Sequence, residues 1–106
     1  MNDITVDELH TRISNKEHLN ILDVREPLEH DMANIGGMLI PLADLPNQLE
    51  QLSDLKDQEI IVYCRSGNRS GMACQLLRNQ GFTKVRNLTG GIMQWAREID
   101  PSLPVF

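Results

Sequence analysis

Glu59-Ile60-Ile61-Val62-Tyr63-Cys64-Arg65-Ser66-Gly67-Asn68-Arg69-Ser70 passes without a break from an apolar run into a short cationic loop. Glu59 to Cys64 is apolar and β-branched, which predicts a strand. After the loop, Met72, Ala73, Leu76 and Leu77 recur at helical spacing, and Gly81 is well placed to cap that helix at its C-terminus. The stretch therefore reads as strand, loop and helix, with Cys64 at the carboxyl end of the strand.

The same alternation continues on either side. Upstream, Leu19-Asn20-Ile21-Leu22-Asp23-Val24 suits a strand buried on both faces, with Asp23 and Arg25 where it would end. Thr5-Val6-Asp7-Glu8 reads as a capping box opening a helix through about Ser14, and Ile4 before it suits a short edge strand. Pro27 opens a short helix to Met32, because proline is tolerated at the first helical position. Gly36-Gly37 turns into a short strand stopped by Pro41, and Pro46 opens a helix carrying Leu49, Leu52 and Leu55. Downstream, Phe82 to Leu88 predicts another strand, Gly90-Gly91 a turn, and Ile92 to Ile99 a last helix. Strands alternating with helices through short connections predict an α/β domain with a mainly parallel sheet and helices on both faces. Ligands bind such sheets beyond the carboxyl ends of the strands, so Asp23, Arg25 and Cys64 are expected on one edge.

Cys64 and Arg69 enclose a Cys-x4-Arg loop in which Gly67 lets the backbone curl and aim several N–H groups inward. A helix start and cationic neighbours lower a cysteine pKa from ~8.5 toward ~3.5 to 7.5, so no histidine base is needed to make a nucleophile. Arg65, Ser66, Gly67, Asn68 and Arg69 are the candidate anion-binding residues, with Asp23, Arg25 and Ser70 in support. Arg69 closes the loop and is expected to face inward. Arg65 either contacts the anion or projects into solvent at the mouth. Asp23 either bonds loop groups or Arg69, or is a turn-forming residue; Arg25 either steers an anion or pairs with Glu26 or Glu29. Cys74, the five methionines and Trp95 read as packing residues. His10, His18 and His30 lack metal-ligand spacing with the cysteines, so neither metal nor cofactor is expected.

The Cys64-Arg65-Ser66-Gly67-Asn68-Arg69-Ser70 loop, Asp23-Val24-Arg25-Glu26-Pro27 upstream and Gly90-Gly91 with Trp95 downstream resemble a single-domain rhodanese, a sulfurtransferase family. The resemblance covers nearly the whole chain. It implies a five-stranded parallel sheet flanked by helices, and a Cys64 that takes the outer sulfur of thiosulfate or a similar donor as a persulfide. The acceptor it implies is cyanide or a thiol, with thioredoxin and glutathione as thiol candidates. Ala33-Asn34-Ile35 departs from the Gly-His-Ile found in many members. Cysteine phosphatases resemble the site but use a loop one residue longer, and ester cleavage calls for a general acid that neither Asp31 nor Asp44 is placed to supply. A binding module that senses sulfur without turnover is the other alternative.

At 106 residues, 41% of them hydrophobic, the chain is expected to be one domain spanning 1–106. A net charge of −5 argues against nucleic acid or an anionic membrane as a partner. No apolar run approaches the roughly 20 residues of a membrane span. The acidic start, Met1 to Glu8, lacks the basic and apolar regions of an export signal, which predicts a cytoplasmic protein with two free thiols.

Overall fold

In a computed structural model that describes residues 3–105, the elements alternate along the chain. They are α1 (Val6–Ser14), β1 (Ile21–Asp23), α2 (Pro27–Met32), β2 (Met38–Leu39), β3 (Glu59–Tyr63), α3 (Asn68–Asn79), β4 (Lys84–Asn87) and α4 (Gly91–Glu98). Two 3₁₀ segments, Leu45–Asn47 and Leu49–Leu55, stand where a helix after Pro46 was expected. They still turn Leu52 into the core. The sheet is parallel throughout in the order β2-β1-β3-β4.

Among the described residues, four strands are seen where five were expected. There the fifth position is held by Ile4, in a parallel bridge to Leu88. Its N–H donates to the Asn87 carbonyl at 3.0 Å and its carbonyl accepts from Thr89 at 2.9 Å. The strand cannot grow forward, because Thr5 already caps α1 and accepts from the Glu8 N–H at 3.1 Å. The expected capping box forms in that half only, since the Glu8 carboxylate turns to Arg86.

Side chains alternate across β3 and so build two cores. Ile60 and Val62, followed by Cys64, pack with Leu22, Leu52, Ala73, Leu77 and Val85 on the α3 side. Ile61 and Tyr63 pack with Leu9, Leu88, Ile92 and Trp95 on the side of α1 and α4. Each such aliphatic side chain contributes about 1.5 to 3 kcal/mol by leaving water, which fixes the register of β3 and hence the place where Cys64 emerges. Among the described residues, no helix is long and apolar enough to cross a membrane.

Candidate active site

Cys64 leaves the end of β3 and its carbonyl is taken by α4: the Ile92 N–H donates to it at 2.9 Å, and the Met93 N–H donates to the Arg65 carbonyl at 3.0 Å. With these carbonyls held from outside, the loop is free to present N–H groups to its interior. Gly67 completes the curl at φ +109°, and its N–H donates to Cys64 Sγ at 3.1 Å. Asn87, at the end of β4, clamps the far side, donating from Nδ2 to the Gly67 carbonyl at 3.0 Å and accepting from the Ser70 hydroxyl at 2.5 Å. Ser70 Oγ also lies 3.3 Å from Sγ.

Cys64 is only 1% exposed. Burial pushes its thiol up, yet the Ser70 hydroxyl and the backbone N–H groups of Ser70, Gly67 and Ser66 outweigh that and hold it below the usual thiol value. Cys74 is equally buried but lacks such donors, and burial pushes it up to about 11. The two thiols share the same burial, so the Ser70 hydroxyl and the loop amides are what set Cys64 apart as the more readily ionised of the two.

Ser66 and Asn68 are exposed at the crest of the loop, and Arg65 is half-buried beside it. Arg65 lines a cavity of about 130 Å³ together with Arg25, Glu29, Met32, Ala33, Pro104 and Val105. Arg69 does not turn into the loop. Its guanidinium makes a two-pronged pair with Glu29, at 2.6 Å and 2.8 Å. Glu29 is held in turn by α2, where its Oε1 accepts from the Glu26 N–H at 3.0 Å.

Asp23 is fully buried and bonds neither loop groups nor Arg69; it meets Arg25 and His30. It accepts from the Arg25 backbone N–H at 3.0 Å, from Nε at 3.0 Å and from Nη2 at 2.8 Å, and lies 2.8 Å from His30 Nδ1. Burial alone would raise this carboxyl, but Arg25 and His30 bring it below the usual value. Arg25 is therefore committed to Asp23, rather than to Glu26 or Glu29, and also donates to the Ala33 carbonyl at 2.6 Å. Its guanidinium lies 5.4 Å from the centre of the Tyr63 ring. Asp31 and Asp44 are both exposed, and among the described residues neither has a hydrogen bond to the cysteine loop.

Sequence reasoning missed Asn87, Gly91 and the role of Glu29. Asn87 was read only as part of a strand. The Gly90-Gly91 pair was legible as a turn, but not its purpose: a Cβ on Gly91 would stand 2.4 Å from the Arg65 carbonyl oxygen and 2.6 Å from that of Cys64.

A family model described as the rhodanese-like domain matches residues 5–98. A sulfurtransferase of Allochromatium vinosum is 37% identical over 98 residues, covering 92% of this chain and 90% of that protein. A putative sulfur carrier protein of Bacillus subtilis, YrkF, is 37% identical over 94 residues and matches 88% of this chain, which spans 50% of its length. Among solved structures, a rhodanese-like domain protein from Staphylococcus aureus superimposes with a TM-score of 0.83 at 28% identity, covering 100% of this chain and 99% of that one.

Proposed function

The chain belongs to the rhodanese-like domain family, and on that premise we propose that it is a sulfurtransferase carrying a sulfane sulfur on Cys64. The observation that carries this reading is the contact between the Gly67 N–H and Cys64 Sγ at 3.1 Å, in a loop whose amides hold a buried thiol below its usual pKa. A thiol held down in this way ionises more readily and depends less on a separate base.

In the proposed reaction the Cys64 thiolate attacks the outer sulfur of thiosulfate. A sulfur–sulfur bond forms to Cys64 while the donor's own breaks, and sulfite departs with the electron pair. The loop N–H groups then receive the charge of the terminal persulfide sulfur. Cyanide or a thiolate, such as that of glutathione or thioredoxin, attacks that sulfur and returns Cys64 to its thiolate. The two steps together involve no net oxidation. Arg65, at the rim of the cavity, draws the anionic donor in, and Ser66, Gly67 and Asn68 form the wall it meets. Ser70 and Asn87 hold the wall in shape, while Asp23 and Arg25 pair with each other outside it. A reducing compartment such as the cytoplasm keeps both cysteines as the free thiols seen here.

The test is intact-protein mass spectrometry after incubation with thiosulfate. The protein is expected to gain the mass of one sulfur atom, to lose it on addition of cyanide or a reducing thiol, and to gain none as Cys64→Ser. Sulfur uptake by that variant, or faster turnover of an aryl phosphate than of thiosulfate, overturns the reading.

A further inference from the structure

Glu29 stands beside the cysteine loop, paired with Arg69, and has no part in the transfer chemistry above. It lines the cavity that Arg25 and Arg65 also line. It also makes the two-pronged pair with Arg69, the residue that closes the cysteine loop. Both members of the pair keep access to water, with 30% and 34% of their side-chain surfaces exposed. The carboxylate is fixed in this place. Glu29 sits in the first turn of α2, behind Pro27, and accepts the Glu26 N–H, so it cannot swing clear without undoing the start of the helix. The pair holds the Glu29 carboxyl down to about 2, so it is ionised at any pH at which the thiolate works. Arg25 is likewise balanced, by Asp23. Glu29 thus offsets the positive charge that Arg69, at the end of the cysteine loop, would otherwise present to an incoming anion.

We infer that Glu29 is a specificity-determining residue that disfavours doubly charged sulfur donors and sets this site for singly charged ones, such as organic persulfides and thiosulfonates. This rests on the sulfurtransferase reading. Coulomb energy scales with the charge of the incoming ion, so a fixed carboxylate penalises a dianion about twice as heavily as a monoanion of the same size. A penalty that costs a monoanion about threefold in rate therefore costs a dianion about tenfold. Thiosulfate and methanethiosulfonate make the comparison, because they differ in one oxyanion replaced by a methyl group. With methanethiosulfonate, the Cys64 thiolate takes the outer sulfur and methanesulfinate leaves with the electron pair, so atoms and charge balance as they do for thiosulfate and sulfite.

The experiment measures kcat/KM for both donors in the wild type, Glu29→Gln and Glu29→Asp, with a common thiol acceptor. Glu29→Gln is expected to raise kcat/KM about tenfold for thiosulfate and about threefold for methanethiosulfonate. The thiosulfate-to-methanethiosulfonate ratio thus rises about threefold, and the rise shrinks at 1 M salt, where the screening length falls to about 3 Å. Glu29→Asp keeps the charge while shortening the side chain, and is expected to keep the wild-type ratio. The ratio is internal to each variant, so a partly unfolded preparation does not distort it. An unchanged ratio in Glu29→Gln, or the same change in both variants, overturns the inference while leaving the sulfurtransferase reading in place. A wild type that takes sulfur from neither donor overturns both.

Discussion

Ser70 has one hydroxyl proton and two neighbours that could receive it, Asn87 Oδ1 at 2.5 Å and Cys64 Sγ at 3.3 Å. The shorter contact to an oxygen is the stronger, so the proton belongs mainly to Asn87. The persistent donors to sulfur are then the backbone N–H groups, which cannot rotate away. Replacing Ser70 with Ala should accordingly remove no more than an ordinary hydrogen bond, about 1 kcal/mol. At a pH where the thiol is partly protonated, the rate of Cys64 alkylation by iodoacetamide should fall by less than about fivefold. A fall of about thirtyfold, roughly 2 kcal/mol, would mean that the hydroxyl points at sulfur. Cys64 was legible from its loop alone, because the Ser70 hydroxyl and the amides that lower its pKa lie within six residues of it in sequence. The partner of Arg69 was not, since Glu29 is 40 residues away and nothing in the local spacing links them. Asp23 was read as a support for the loop, but its partners are Arg25, two residues on, and His30, seven residues on. Both pairings depend on how the chain turns out of β1, which composition does not encode.

Among the elements, α4 acts on the site without lending it a side chain. Its first N–H groups hold the carbonyls of Cys64 and Arg65, and that approach leaves no room for a Cβ at Gly91, where φ is +61°. Gly91→Ala should therefore cost about 3 kcal/mol from left-handed backbone strain and collision with the loop. Gly36 provides the control: its φ is +86°, but nothing lies within 4 Å of an added Cβ, so Gly36→Ala should cost about 1 kcal/mol. Thermal unfolding followed by circular dichroism should show a drop of about 12 to 24 °C for the first and about 4 to 8 °C for the second. Equal drops would show that close approach plays no part. The strands and helices around β3 were legible because each buries a periodic apolar face. The segment after Pro46 was legible as a helix carrying leucines but not as 3₁₀, since leucine spacing does not distinguish the two helical forms over so few turns. The fifth strand does not run forward past Ile4 because a cap and a strand competed for Thr5, and the cap prevailed.

Over the whole molecule, ion pairs tie elements to one another across the surface. Glu8 and Glu59 bind Arg12 and Arg86 across α1, β3 and β4, while Glu29 binds Arg69 between α2 and α3. α2 buries none of its own side chains, so this last pair is a principal tie between it and the body. Glu8, Asp23, Glu29 and Glu59 are all held below their usual carboxyl values in the folded state. When the folded pKa lies below the unfolded one, the unfolded chain binds protons first as pH falls; the stabilisation is present above the unfolded value and lost below it. For Glu29 that window runs from the usual 4.5 down to about 2. The full shift would represent about 3 kcal/mol, but both partners are about one-third exposed, and solvent screening reduces this to about 1 kcal/mol. Urea unfolding at stepped pH should therefore show wild-type stability falling from about pH 5 to about pH 2. Glu29→Gln should start about 1 kcal/mol lower at pH 6 and converge on the wild type by about pH 2, because it has no proton to bind there. Parallel curves for the two proteins would mean that the Glu29–Arg69 pair adds nothing to the docking of α2, whatever it does beside the cysteine loop.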